Sequence, residues 1–129
     1  MKEEKRALVK THRDLEIYQI AFELAMRVFE LSKKLPVEER YSMTNQMRRS
    51  SRSAATNITE GWRKRRHEAA FVSKLSDSET EAAETQAWLE FCIHCGYLTR
   101  DDVAEVYQKY NILLAKIVTM INNPKPWLV

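Results

Sequence analysis

Four long segments of this chain repeat apolar residues at the alternating three- and four-residue spacing of an amphipathic helix. The repeats run through residues 15–35, 43–61, 67–95 and 100–122, and the chain of 129 residues contains only 2 glycines and 3 prolines. So few turn-forming residues argue against a β-rich fold, which needs many tight turns. Because the connections between the segments are short, the pattern predicts an all-α fold, an antiparallel up-down-up-down four-helix bundle.

The chain divides into one folded domain and two terminal segments. Residues 1–13 are charged and lack a period, which indicates a flexible N-terminal arm. Residues 14–122 form the predicted bundle, and residues 123–129 form an extended C-terminal tail in which Trp127 packs on a surface. The sequence shows no secretory signal segment and no apolar run near the roughly 20 residues that span a bilayer. With only 2 cysteines, we expect a cytoplasmic protein.

Residues with known capping roles mark the predicted helix ends. Asp14 precedes the first periodic segment and is predicted to cap its N-terminus. Pro36 is predicted to end this helix, because proline disfavours helical geometry in the residue before it. Gly96 is placed to follow the C-cap of the third helix. Thr99, with Asp102 in the next turn, is predicted to cap the fourth.

The first helix carries two neighbouring apolar stripes. One stripe comprises Leu15, Tyr18, Phe22, Ala25 and Phe29, and the other comprises Ile17, Ala21, Leu24, Val28, Leu31 and Leu35. Together they are wider than the face that one bundle core usually buries. Either one stripe packs on another subunit, or the whole wide face is buried inside one subunit.

The second helix, above all residues 46–61, sorts its side chains into three lanes at about 3.6 residues per turn. The apolar lane of mostly small residues, which allows close approach of another helix, contains Met43, Met47, Ser51, Ala54 and Ile58. The polar lane beside it contains Gln46, Ser50, Ser53, Asn57 and Glu60. The basic lane, on the side opposite the apolar lane, contains Arg48, Arg52 and Arg63.

Polar groups in a covered lane need hydrogen-bond partners. We therefore predict structural roles for Gln46, Asn57, Glu60, Gly61 and Glu81. For the amide of Asn57 the predicted partners are Ser78 or Glu81 of the third helix.

Charge is unevenly distributed along the chain, although the net charge is only +3. Residues 48–66 contain seven basic side chains and a single acid, whereas residues 68–90 contain six acids and a single lysine. This segregation predicts one positive and one negative surface patch. We predict that nucleic acid binds the positive patch, formed by Arg48, Arg52, Arg63, Lys64, Arg65 and Arg66. Trp62 lies within it, where packing at the helix end competes with stacking on a base.

The sequence contains no residue pattern of a known catalytic or metal site. Cys92 and Cys95 form a C-x-x-C pair, but a second ligand pair for zinc and the βαβ setting of redox proteins are both missing. The Glu-x-x-His motifs of a di-iron bundle are also missing, and no nucleophile is placed with a base. We therefore predict a protein that is not an enzyme and that uses no metal and no cofactor.

Five short motifs are distributed from Asp14 to Leu98, within a stretch of resemblance that extends to Ile121. They are Asp14-Leu15, Leu35-Pro36-x-x-Glu39, Gln46-Met47-Arg48-Arg49-Ser50, Ser53-x-x-x-Asn57-Ile58-x-Glu60-Gly61 and Gly96-Tyr97-Leu98. With these motifs the chain resembles the bacterial four-helix-bundle family of the protein encoded in 23S rRNA intervening sequences. It departs from the family in having Asp77-Ser78 where a Gly-Ser pair usually precedes the third-helix glutamate.

The resemblance implies an all-α up-down bundle that assembles into a homopentameric ring. It supplies no catalytic residues. A related accessory protein of diversity-generating retroelements binds a reverse transcriptase and nucleic acid, which favours an anionic ligand for the basic surface of this chain.

Two hypotheses about function remain open at this point. In the first, the protein is a non-enzymatic oligomer that binds structured RNA through its basic surface. In the second, it is a protein-interaction scaffold with no nucleic-acid role. In this second case the arginines bind an acidic protein partner or form ion pairs with Glu79, Glu84 or Glu90 of a neighbouring helix or subunit. Salt dependence and competition by nucleic acid distinguish the two hypotheses.

Overall fold

The structure, a computed structural model, describes residues 8–129, and this part of the chain contains four α-helices and no strand. The helices are α1 (Glu16–Ser32), α2 (Met43–Arg63), α3 (Glu68–His94) and α4 (Arg100–Asn122). Three short 3₁₀ helices accompany them, at His12–Asp14, Val37–Glu39 and Lys125–Trp127. The predicted all-α fold is confirmed. None of the described helices has both the length and the apolar character needed to cross a membrane.

The capping residues predicted around the α3–α4 connection have their predicted roles. Gly96 has a φ of 77°, a conformation that favours glycine, and the Tyr97 N–H donates to the Cys92 carbonyl at 2.9 Å. Thr99 Oγ1 accepts a hydrogen bond of 3.0 Å from the Asp102 N–H, and the Asp102 carboxylate accepts one of 2.9 Å from the Thr99 N–H. These two bonds form a reciprocal capping box that fixes the start of α4.

The start of α1 differs from the prediction. Asp14 ends a 3₁₀ helix, and its carboxylate accepts the backbone N–H of Thr11 at 3.1 Å and that of the preceding residue at 2.9 Å. It does not cap α1, because Leu15 is extended and separates the two helices. Of the predicted arm, residues 1–13, the first seven lie outside the described residues, and Val9 packs against the core.

Two further helix ends differ from the prediction. α1 ends at Ser32, a full turn before Pro36, in a tight turn where the Lys33 N–H donates to Glu30 at 3.2 Å. The tail is not extended, because residues 125–127 form a 3₁₀ turn that begins after a proline. Its tryptophan packs against the core, as predicted.

Each helix contacts the next along the chain, and α4 also contacts α1. Along the contact between α1 and α4, residue numbers rise on one helix as they fall on the other. The ion pairs there are Glu16–Lys116 at 2.8 Å, Arg27–Glu105 at 2.8 Å and Lys34–Asp102 at 3.2 Å. The apolar core lies between the four helices, with Met47, Ile58, Phe71, Leu89 and Tyr110 among its fully buried side chains.

The two apolar stripes of α1 are mostly buried inside the subunit. In the second stripe, all residues but the half-buried Leu31 are buried. The first stripe is divided. Leu15 and Ala25 are buried and Tyr18 and Phe29 are half-buried, whereas Phe22 is 52% exposed. The whole wide face is therefore not buried inside one subunit, since a narrow apolar strip remains at the surface. Packing of this strip on another subunit stays a prediction.

Candidate nucleic-acid interface

The basic side chains predicted to bind nucleic acid fall into two groups, one beside the first half of α2 and one at its C-terminal end. One group surrounds the ring of Phe29 and consists of Lys33, Arg48 and Arg52, here called the Phe29 cluster. The other follows the end of α2 and consists of Arg63, Lys64, Arg65 and Arg66, here called the turn cluster. At about 1.5 Å per helical residue, the eleven positions between Arg52 and Arg63 correspond to about 16 Å.

Three cations surround a single aromatic ring in the Phe29 cluster. The guanidinium carbons of Arg48 and Arg52 lie 4.7 Å and 5.7 Å from the Phe29 ring centroid, and the Lys33 ammonium lies 4.8 Å from it. The ring quadrupole attracts cations at these distances. Phe29 and Lys33 were absent from the predicted set. The only sequence signal for them was that they lie four residues apart and therefore share one helix face.

Arg48 is held in place from the side of α1. Its Nε donates to Ser32 Oγ at 2.7 Å, and that hydroxyl donates to the Phe29 carbonyl at 2.6 Å. Ser32 is buried and Arg48 is half-buried, so Arg48 lies in the groove between α1 and α2. The side of α2 that carries the basic lane is thus not fully open, because α1 covers part of it.

In the turn cluster, Trp62 is only 6% exposed and belongs to the core, so its role is packing. Arg65 lies over the indole with its guanidinium carbon 3.4 Å from the ring centroid, and its Nε donates to the Trp62 carbonyl at 2.7 Å. Partial burial, with the nearby charge of Arg63, lowers the pKa of Arg65. Arg65 therefore serves the packing of Trp62, while Arg63, Lys64 and Arg66 are exposed.

Most of these cations lack a carboxylate partner within the described chain. In residues 8–129, no ion pair involves Arg48, Arg52 or the four residues of the turn cluster. Lys33 pairs with Glu30 at 3.2 Å. The expected pairing of α2 arginines with α3 acids occurs for one residue outside the predicted set. Arg49 pairs with Glu84 at 3.0 Å and lies 3.6 Å from Glu81.

The predicted partners of Asn57 are wrong. Its amide donates to the Ser53 carbonyl at 2.9 Å and to Ser53 Oγ at 3.0 Å, both on its own helix. Ser78 instead donates to the Ala54 carbonyl at 2.6 Å. Asn57 is nearly buried, and an amide four residues after a carbonyl on the same helix reaches it without help from a neighbouring helix.

The other polar residues with predicted structural roles lie along the contact between α2 and α3. Gln46 Oε1 accepts from Arg49 Nε at 3.3 Å, and Glu60 pairs with Lys74 at 3.3 Å. A Cβ on Gly61 would lie 3.3 Å from Lys74 Cβ, so the two helices approach closely there. Burial raises the pKa of Glu81, while the charge of Arg49 opposes this shift.

The described residues offer little for metal or thiol chemistry. Among them, no group of three or more His, Cys, Asp or Glu side chains is placed to hold a metal ion. Burial raises the pKa of the Cys92 thiol to about 11, and this thiol points at the Met43 and Met47 sulfurs at 3.6 Å and 3.9 Å. A thiol with so high a pKa is a poor nucleophile.

A family profile described as the 23S rRNA-intervening sequence protein matches residues 13–119. A solved structure from Bacteroides thetaiotaomicron, described as a protein with unknown function from the S23 ribosomal protein family, is also similar. Its TM-score is 0.73 at 29% sequence identity, and the match covers 81% of this chain and 97% of that one. No curated protein matches the chain. The family profile spans all of α1, α2 and α3 and most of α4.

Proposed function

Because this chain belongs to the 23S rRNA-intervening sequence protein family, we propose that it is a non-enzymatic oligomer that binds structured RNA through its basic surface. One observation carries the proposal. In the described chain, five cations on or just after α2 have neither a carboxylate partner nor the packing role of Arg65. They are Arg48, Arg52, Arg63, Lys64 and Arg66. The cytoplasm, where RNA is present, is the compartment in which this activity belongs.

Uncompensated cations favour a polyanion over a single small anion. The Phe29 cluster and the turn cluster are separated by about 16 Å along α2, which is too far for one phosphate to bridge. A nucleic acid carries a phosphate at every nucleotide, and each phosphate that is neutralised releases condensed counterions. Since no side chain here is arranged to read base edges in a groove, we expect weak dependence on sequence.

The arrangement proposed for the subunit is the antiparallel up-down-up-down bundle. It is supported by the ion pairs between α1 and α4, whose residue numbers run in opposite directions. Residue numbers also run in opposite directions along α2 and α3, as the ion pairs Glu60–Lys74 and Arg49–Glu84 show. Such an arrangement places the turn cluster at one end of the bundle and the Phe29 cluster beside the first half of α2.

We further propose that the subunits associate through an exposed apolar pair on α3. Phe91 is 54% exposed and lies against the half-buried Trp88, with ring centroids 5.7 Å apart. Exposed aromatic side chains grouped in this way are typical of protein contact surfaces. The family resemblance implies five subunits, and a ring would repeat both basic clusters in every subunit.

The same apolar pair favours the second candidate function, a protein-interaction scaffold without a nucleic-acid role. In that case Trp88 and Phe91 bind a different protein, and RNA affinity is absent or independent of the basic clusters. Nuclease treatment of the purified protein distinguishes the two functions, because it removes a bound RNA and leaves a bound protein in place.

The test of RNA binding is a titration of the whole protein with a structured RNA at several salt concentrations. We compare the wild type with the triple variant Arg52→Glu/Arg63→Glu/Arg66→Glu. Arg48 is left unchanged because its Nε holds Ser32, and its loss would disturb the α1–α2 contact. The affinity of the variant is expected to fall at least tenfold, and the salt slope by about one for each lost phosphate contact.

The matched control is Arg40→Glu/Arg100→Glu/Lys125→Glu, which makes the same change in net charge. All three of its residues are exposed and lie outside the two clusters. A control that loses as much affinity as the test variant would show that only net charge matters. If the wild type shows no salt-sensitive binding, the proposal is wrong.

A further inference from the structure

We propose that the exposed strip of α1 beside the Phe29 cluster binds unpaired nucleotides of the RNA ligand. In this arrangement a base stacks on the ring of Phe22, while neighbouring phosphates lie at Arg48 and Arg52. The inference rests on the proposed RNA binding and specifies which part of a structured RNA is bound: single-stranded loops and ends.

Aromatic rings continue along α1 from the Phe29 cluster toward the helix start. Phe22 is 52% exposed and precedes Phe29 by seven residues, which places it on the same helix face about 10 Å away. Its ring lies 5.9 Å from that of Tyr18 at 35°, and Tyr18 in turn contacts the His12 ring at 4.7 Å and 80°. One face of Phe22 is thus supported by another ring, while half of its surface is open.

One cation beside this strip, Arg48, is already ordered for an anion. Arg48 Nε is occupied by Ser32 at 2.7 Å, which fixes the guanidinium plane over Phe29 and leaves its terminal nitrogens without a carboxylate partner in the described chain. An ordered guanidinium pays less conformational entropy when it binds a phosphate than a freely rotating one.

Charge complementarity decides the occupant of this face. An apolar protein surface would bury Arg48 and Arg52 without an opposite charge. Burial of an uncompensated charge costs several kilocalories. A nucleic acid supplies phosphates for the arginines and a flat π-face for Phe22 at the same time.

The base must be unpaired. Bases in an RNA duplex are stacked on each other and hidden from a phenyl ring on a helix surface, and side chains cannot enter the narrow major groove. Unpaired bases in loops and ends are free to stack on aromatic side chains, largely without regard to sequence.

The experiment uses the full chain and three polyanions: a short oligouridine, an RNA duplex of equal phosphate number, and heparin. Three variants are compared at Phe22: Phe22→Ala, Phe22→Leu and Phe22→Tyr. We expect the first two to lose oligouridine affinity by about five- to a hundredfold, and Phe22→Tyr to retain it. Affinity for the duplex and for heparin should not change, and the salt slope should stay constant because no charge is removed.

The leucine variant separates stacking from simple apolar contact, since it keeps the apolar surface but lacks the ring. Equal affinity of Phe22→Leu and the wild type for oligouridine would overturn the inference. So would a changed oligomeric state of Phe22→Ala in light scattering, which would show that this strip is a subunit contact. In both cases salt-sensitive binding to structured RNA would leave the proposed function standing, whereas no binding to any of the RNAs would end both.

Discussion

Buried hydroxyl groups link α2 to α3 in the middle of the core, next to a tyrosine of α4. Ser50 and Thr85 share a hydrogen bond of 2.8 Å, and Thr85 also donates to the Glu81 carbonyl at 2.9 Å. The Tyr110 hydroxyl lies close to Thr85, but the geometry between them falls short of a well-formed hydrogen bond, and no other described residue supplies a partner. Its burial raises the pKa of the phenol strongly. A buried hydroxyl without a partner costs roughly 1–3 kcal/mol.

We therefore predict that Tyr110→Phe stabilises the protein, by up to about 1 kcal/mol, because the packed ring remains and the unpaired oxygen is removed. Urea denaturation of both proteins measures the change in the free energy of unfolding. Ser50→Ala is the matched control and should destabilise, since it removes the hydrogen bond between Ser50 and Thr85 that joins α2 to α3. A lower stability of Tyr110→Phe would contradict the structure, because it would mean that the hydroxyl is hydrogen-bonded.

The two connections at one end of the bundle are joined by a single carboxylate. Glu39 accepts hydrogen bonds from Ser42 Oγ at 2.5 Å and from the Tyr97 hydroxyl at 2.8 Å. These bonds, above all the one from Ser42, hold the pKa of Glu39 below its ordinary value of 4.5. The same interaction raises the pKa of Tyr97 to about 12. The α1–α2 and α3–α4 connections are thus fastened to each other through an ionised group.

A carboxylate whose pKa is lowered by folding stabilises the native state above its unfolded pKa, and this stabilisation is lost as pH falls through the folded value. We predict that Glu39→Gln lowers the free energy of unfolding at neutral pH. The difference from wild type should shrink as pH falls below 4.5. Denaturant melts across this range provide the measurement. A difference that stays the same from neutral to acidic pH would show that the charge of Glu39 does not contribute.

Acidic and basic side chains lie in separate regions of the molecule, and a few aromatic rings are exposed. Acids of α3 are partly neutralised within the described chain by Arg49 and Lys74, whereas most of the α2 cations are not. Like charges gathered on one surface oppose compaction and favour association with an opposite charge. Assembly through a different face, at Trp88 and Phe91, would leave these cations accessible.

For the assembly we predict a mass of five times the chain mass of 15.2 kDa in light scattering. Phe91→Glu should shift the protein to smaller species while its helix content is kept, because a carboxylate would be buried in the subunit contact. Ile112→Glu, at a residue that is 50% exposed on α4, is the control and should leave the mass unchanged. A wild-type protein that is monomeric at micromolar concentration would refute the assembly.

The four helices and several of their ends could be predicted from local sequence alone. Apolar periodicity, the Thr99–Asp102 box and the glycine at position 96 act between residues a few positions apart, so each can be read locally. The basic stretch could be predicted in the same way, because the density of charged residues along the chain is a property of the sequence alone. Asp14 and the tail were mispredicted where short 3₁₀ turns, which carry little periodicity, replaced the expected conformation.

Which of these side chains form hydrogen bonds or ion pairs with another helix, and which stay exposed, could not be predicted without the folded structure. Arg48 reaches Ser32, Arg49 reaches Glu84, and Tyr97 reaches Glu39 from 58 positions away. These contacts depend on how each helix is rotated about its axis and how far it is shifted along its neighbour. The rotation and the shift of each helix depend on packing throughout the core. No single stretch of sequence contributes enough of that packing to determine them.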